Sequence, residues 1–270
     1  MADVRTATGT QLLARFLDEQ ITALVSVEPV LRQSDLPRVA RLHPLVMSML
    51  EDAISIRLLG NDSRTNQTYV IARALVERCT NYCYLLLCDE REFTDYVDYS
   101  LNKAGRRIDR SIVVDGEVKA RVGLKDGTVE LPPQIQQAIA KFTSERGREK
   151  TRWTNVSLPE RAAAVEVRVG ASGLFMALLA IYADASEALH GTLYGALFHL
   201  GVYDYGAVPH DQDSLDQHRH TTLSCLYLMT GGLLDTLFRA LAAVGETHCA
   251  GYAEESKKRF RTVSFQTGLA

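Results

Sequence analysis

Between Gly173 and Gly201 the chain runs almost wholly apolar, and within that run Ile181–Gly191 reads I-Y-A-D-A-S-E-A-L-H-G. Tyr182, Ser186 and His190 recur at every fourth position. On a helix of about 3.6 residues per turn they form a ladder down one face, roughly 12 Å long at about 1.5 Å per residue. Three hydrogen-bonding side chains inside a greasy helix need partners, because each unpaired buried polar group costs about 1–3 kcal/mol. The ladder therefore anchors a structural network or lines a site. Residue chemistry alone does not name the reaction or the ligand.

The rest of the chain repeats the helical period. Leu12, Leu13, Phe16, Leu17, Ile21 and Leu24 stripe a first helix over Thr8–Val27, expected to stop near Pro29. Ser34-Asp35 with Pro37 starts a second, carried by Val39, Leu42, Val46, Leu50 and Ile54 to Gly60. Asp62 or Ser63 is expected to cap a third, whose stripe is Ala72, Leu75, Val76, Cys79, Cys83 and Leu86, with Arg73 and Glu77 beside it one turn apart. Phe93 to Ala104 gives a shorter fourth. Long helices joined by short polar turns pack as an antiparallel bundle.

Ser111–Val122 breaks the period. Val118, Ala120 and Val122 alternate with Glu117, Lys119 and Arg121, and Asp115-Gly116 is a favoured two-residue turn. A second turn at Lys125-Asp126-Gly127 extends the hairpin insert to about residue 131. Pro132-Pro133 opens a helix expected over Gln134–Lys150, and Ser157 with Glu160 has capping-box spacing. The central helix follows from about Ser172, then a polar loop over Gly201–Gln217. A long apolar helix carries Leu223 to Leu241, with Gly231-Gly232 marking close approach of a neighbouring backbone. A short amphipathic helix over Cys249–Arg261 comes last. The expectation is one all-α domain over 1–270, an antiparallel bundle with a small inserted β-hairpin.

The 270 residues carry a net charge of −3, so no global field draws nucleic acid or an anionic membrane. The basic runs Lys103–Arg110, Arg146–Arg152 and Lys257–Arg261 read as solvated helix faces. No apolar signal core appears near Met1, and the five cysteines suit a reduced cytoplasmic core. Thr221–Gly245 is membrane-like in length, yet Asp235 and Arg239, four apart, are expected to pair inside a buried helix rather than a lipid span. Its apolar circumference favours a homodimer.

Glu187-x-x-His190 has the spacing of di-iron carboxylate bundles, but no second such pair exists, so neither metal nor cofactor is expected. Ser186 and His190 are spaced for a nucleophile–base pair, without an elbow or oxyanion hole. His218-Arg219-His220 near Asp211, Asp213 and Asp216 reads as a solvated helix entry. Arg38 and His43 have the Arg-x4-His spacing of HEPN ribonucleases.

Arg73-Ala-Leu-Val-Glu77, Trp153 with Pro159-Glu160-Arg161-Ala162, and Tyr182-x3-Ser186-x3-His190 together resemble the helical family catalogued as domain of unknown function 5677, over about Ala53–Gly195. The resemblance implies an all-helical bacterial fold with no established activity. It also implies one polar cluster of Arg73, Glu77, Tyr182, Ser186 and His190, and a distant outline like HEPN bundles. The hairpin around Asp115-Gly116 is not associated with that family. Arg73, Glu77 and His190 are the candidate catalytic groups, Tyr182 and Ser186 the candidate ligand-binding ones. The expected role is a ligand-binding, sensor or interaction module in defence or stress response, with a partner protein or small ligand. The alternative is a HEPN-like RNase or toxin acting on RNA.

Overall fold

The structure, a computed structural model, describes residues 2–123, 131–171, 173–201 and 211–268. Of the described residues 76% are helical, well above the roughly one-third average for globular proteins. In order come α1 (Ala7–Arg32), α2 (Pro37–Asn61), α3 (Thr65–Leu87), α4 (Glu90–Arg107), β1 (Asp109–Val114) and β2 (Glu117–Gly123). Then follow α5 (Pro133–Lys141), α6 (Leu158–Val169), α7 (Gly173–Ala177), a π-helical turn (Leu178–Tyr182) and α8 (Ala183–Leu189). Last come α9 (Leu193–Phe198), α10 (Gln212–Ala243) and α11 (Thr247–Thr267). These elements divide into two units, Met1–Leu87 with Leu158–Ala270, and Cys88–Ser157.

The larger unit is built around α10, which packs against α1, α3, α6, α7 and α11. Leu226, Leu233, Leu234, Leu237, Phe238 and Leu241 point to several sides of this helix, and all are fully buried. They meet Leu13, Leu17 and Leu24 of α1 and Leu75 of α3, also at zero exposure. By length and composition α10 could cross a membrane, but 61% of its most apolar window is buried inside the protein. Asp235 and Arg239 pair at 2.7 Å, as their spacing predicts. Gly231 and Gly232 mark close approaches: a β-carbon at Gly231 would meet the Phe16 ring at 2.1 Å, and Gly173 of α7 lies over Gly232.

Several boundaries differ from the sequence reading. α1 continues through Pro29 to Arg32. The bond that proline forfeits is to the carbonyl of Val25, an exposed position where water can serve it. Neither Asp62 nor Ser63 caps α3; the chain turns instead through Ser63 at φ 55, and Thr68 bonds back to the Arg64 carbonyl. α10 begins at Gln212, because the Asp211 carboxylate accepts from the Ser214 amide at 2.7 Å. His218-Arg219-His220 is therefore inside the helix, not at its entry. α11 runs on to Thr267, six residues beyond Arg261.

The smaller unit holds α4, the hairpin and α5. Asp115 (φ 52) and Gly116 (φ 80) both take positive φ, the requirement of the type I′ turn that matches strand twist. β1 and β2 pair antiparallel, with a register break between Ile112 and Val113, and every residue of β2 is exposed. The expected second turn at Lys125-Asp126-Gly127 lies outside the described residues. α5 stops at Lys141 rather than Lys150: Lys150 bonds back to the Phe142 carbonyl at 2.8 Å, closing a turn through Gly147 at φ 72. Trp153 packs edge-on against Tyr96. Thr154 donates to Glu92 at 3.1 Å, tying the two ends of this unit together.

Candidate functional site

Arg73 and Glu77 stand one turn apart on α3, and α3 packs directly on the π turn and α8. A π turn adds the equivalent of one residue. At about 3.6 residues per turn that rotates everything beyond it by roughly 100°. Tyr182 closes the π turn and Ser186 follows on regular α-helix, so both face α3, flanked by the fully buried Ile181 and Ala185.

The four side chains form a closed network. Arg73 Nε donates to Ser186 Oγ at 2.8 Å, and Nη2 donates to Tyr182 Oη at 3.3 Å and pairs with Glu77 Oε1 at 3.2 Å. The guanidinium carbon lies 4.8 Å from the Tyr182 ring centre. Tyr182 Oη donates to Glu77 Oε1 at 2.7 Å, and Ser186 Oγ donates to the Tyr182 carbonyl at 2.6 Å. Burial and the adjacent Glu77 carboxylate raise the phenol's pKa, against the opposing pull of Arg73. Its proton therefore stays on Tyr182.

His190 is not part of this network. α8 ends at Leu189, and His190 is its exposed C-terminal cap, bonding by its backbone amide to the Ser186 carbonyl at 2.9 Å. Its imidazole makes no hydrogen bond to any described residue. The Ser186 hydroxyl spends its proton on a carbonyl and receives one from an arginine, so no base activates it. The nucleophile–base pair that the spacing allows does not form.

The family model that matches covers residues 40–206, more than half of the chain, and describes a family of unknown function, DUF5677. The chain belongs to that family. No curated protein and no solved structure matches it. The DUF5677 stretch contains Arg73, Glu77, Tyr182 and Ser186, and it includes the hairpin that the sequence resemblance left aside. α10 and α11 lie beyond it. The match brings no activity and does not reach the HEPN ribonucleases. Arg38 and His43, the other pair with ribonuclease spacing, serve different helices. Arg38 donates to the Leu85 carbonyl of α3 at 3.3 Å, and His43 bonds to Glu28 of α1 at 2.5 Å.

Beside the network is a second group, of which the sequence reading named only His218, as part of a solvated helix entry; the structure buries it instead. Tyr69, Phe198 and His199 pack edge-to-face at 5.4–5.5 Å, and Phe198 meets His218 at 6.4 Å. His199 is 8% exposed, and neither ring nitrogen has a hydrogen-bond partner among the described residues. Burial holds its imidazole pKa below the ordinary value; His218 adds to this and Asp184 opposes it. Asp184 accepts from Tyr194 Oη at 3.0 Å. The signal was present in Leu193–His199, where Tyr194, Phe198 and His199 fall at helical spacing.

Proposed function

We propose that this protein is a non-catalytic binding module whose working segment is α7 to α9, held on α3 by the Arg73 network. One observation carries the reading: the network satisfies itself. Every proton that Ser186 and Tyr182 could trade is already committed, and Arg73 is permanently charged. A catalytic site needs a nucleophile or base left available to a substrate. A second feature supports binding. Leu179 and Leu193 are 78% and 74% exposed, and Phe175, Met176, Leu189 and Tyr194 are also exposed. Apolar side chains concentrated on one surface segment are the mark of an interaction site. α10 is covered within its own chain, so its apolar circumference no longer argues for a second copy, and the surface offered to a partner is this segment instead.

Amide exchange tests the latch. In Arg73→Ala, residues 178–198 should exchange on the order of tenfold faster while α1 and α11 keep their protection. An RNA-cleavage assay tests the absence of chemistry. Cleavage by the wild type that is lost in His190→Ala would overturn the reading in favour of a ribonuclease.

A further inference from the structure

The three short helices of the working segment begin beside an open cleft of about 740 Å³, lined by α7 and the residues just before it, α10 and α11. Its size is that of a site for a small organic molecule, typically about 300–1,000 Å³. Met176, Leu228, Met229 and Phe260 line it with apolar surface, two thioethers among them. Glycines open it. Gly232 lies in the wall, where an added β-carbon would meet only the Gly173 Cα, at 3.8 Å.

The charges around this apolar body are unequal. Arg239, Lys257 and Arg261 line the cleft against one carboxylate, Asp235. Asp235 occupies Arg239 Nε, and Arg239 Nη1 reaches the Gly170 carbonyl at 3.4 Å. Arg239 Nη2 and the side chains of Lys257 and Arg261 have no ion pair or hydrogen bond with any described residue. Asp235 Oδ1 is buried and also lacks a partner among the described residues. An apolar cavity with excess cationic donors matches a molecule with an apolar body and an anionic head. A neutral apolar ligand would leave those donors unanswered, and a fully polar anion would leave the thioethers and phenyl ring against its charge.

We infer that the cleft between α7, α10 and α11 binds an amphipathic anion, a carboxylate or phosphate on an apolar body, with the head at Lys257, Arg261 and Arg239. This deepens the binding-module reading by naming a site and a ligand class. It differs from the expectation that Lys257–Arg261 is only a solvated face. Because Gly173 and Met176 belong to α7, an occupant would touch the start of the segment that the Arg73 network holds at Tyr182 and Ser186.

Titration calorimetry with decanoate, matched against decanol, tests the proposal on the full chain. Decanoate should bind at least tenfold more tightly than decanol, and Lys257→Glu with Arg261→Glu should weaken decanoate at least tenfold. Both residues are at least partly exposed, so these variants keep the fold. Gly232→Leu should abolish binding of decanoate by filling the cleft, and Gly232→Ala, which meets no close atom, should leave it measurable. Equal affinity for the two ligands, or undiminished binding in the double charge reversal, would overturn the inference. Co-sedimentation with phosphatidylglycerol vesicles and no heat with decanoate would assign the cations to a membrane surface and overturn it as well. A null result with decanoate, alongside faster exchange of 178–198 in Arg73→Ala, would sink the ligand class and leave the latch standing.

Discussion

Gly231 and Gly232 are neighbours in the interior of one helix, and alanine at the two positions should have opposite effects. Glycine in a helix interior is destabilising by roughly 0.5–1 kcal/mol relative to alanine, so each substitution starts with that gain. At Gly232 little offsets it: the new methyl meets only the Gly173 Cα, at 3.8 Å, an ordinary contact. Gly232→Ala should stabilise by about 0.5–1 kcal/mol. At Gly231 the methyl would stand 2.1, 2.8 and 2.9 Å from three atoms of the Phe16 ring. Phe16 is 3% exposed and packs edge-on against Phe260 at 6.0 Å, so its ring has nowhere cheap to go. Overpacking of this kind costs about 1–3 kcal/mol. The propensity gain is common to both variants and cancels in their difference, which should therefore equal the overpacking cost, about 1–3 kcal/mol in favour of Gly232→Ala. Urea denaturation followed by circular dichroism measures it, with the slope checked for constancy so that the midpoints report stability. Two variants shifting in the same direction by the same amount would refute the helix–helix geometry at α1 and α7.

Three further outcomes follow from the site and the core. Arg73→Ala should destabilise by about 2 kcal/mol and Tyr182→Phe by about 1 kcal/mol, by chemical denaturation. Glu77→Ala should cost about 1 kcal/mol, because its side chain is 39% exposed and water can replace much of what it loses. A loss of 3–5 kcal/mol there would mean a fully desolvated charge. For His199 the folded pKa lies below that of the unfolded chain, about 6.5. Between those two values the unfolded state holds more protons, so stability falls as pH drops from about 6.5 through the folded pKa. His199→Phe should flatten that slope in denaturation series run at successive pH values, and an unchanged slope would exonerate the residue. Cys79, Cys83 and Cys249 are buried, and burial with Glu246 nearby pushes the Cys249 thiol up to about 12. None of the three should react with iodoacetamide in the native protein at pH 8, read by mass spectrometry; rapid native labelling of Cys249 would contradict its burial.

The helical class and the hairpin were legible because both rest on local periodicity and local turn chemistry. Asp115-Gly116 forces its own backbone geometry, and the stripes of α1, α2 and α3 need only a partner surface of some kind. The meeting of Arg73, Glu77, Tyr182 and Ser186 was legible through the i, i+4 spacing on both helices. His190 shares that spacing and still falls outside, because Gly191 at φ 66 ends α8 directly after it and leaves His190 as the exposed cap. The π turn was invisible: Leu178–Tyr182 is ordinary helical sequence, and its extra residue answers to packing against α3. The cleft was hidden for a similar reason, since Arg239 lies in one helix and Lys257 and Arg261 in another, and only packing of α10 on α11 places them around one cavity.

The tie between Thr154 and Glu92 bears on how the chain is made. The unit Cys88–Ser157 interrupts the larger one between α3 and α6. On a ribosome α1 to α3 emerge first and can pack on one another, but the faces that α6, α10 and α11 cover stay open until those helices follow. An unstructured stretch of about 70 residues would add an entropic cost that grows only logarithmically with length. A unit whose first helix is bonded to its last loop presents its two ends as neighbours instead. It converts a long interruption between α3 and α6 into a short connection.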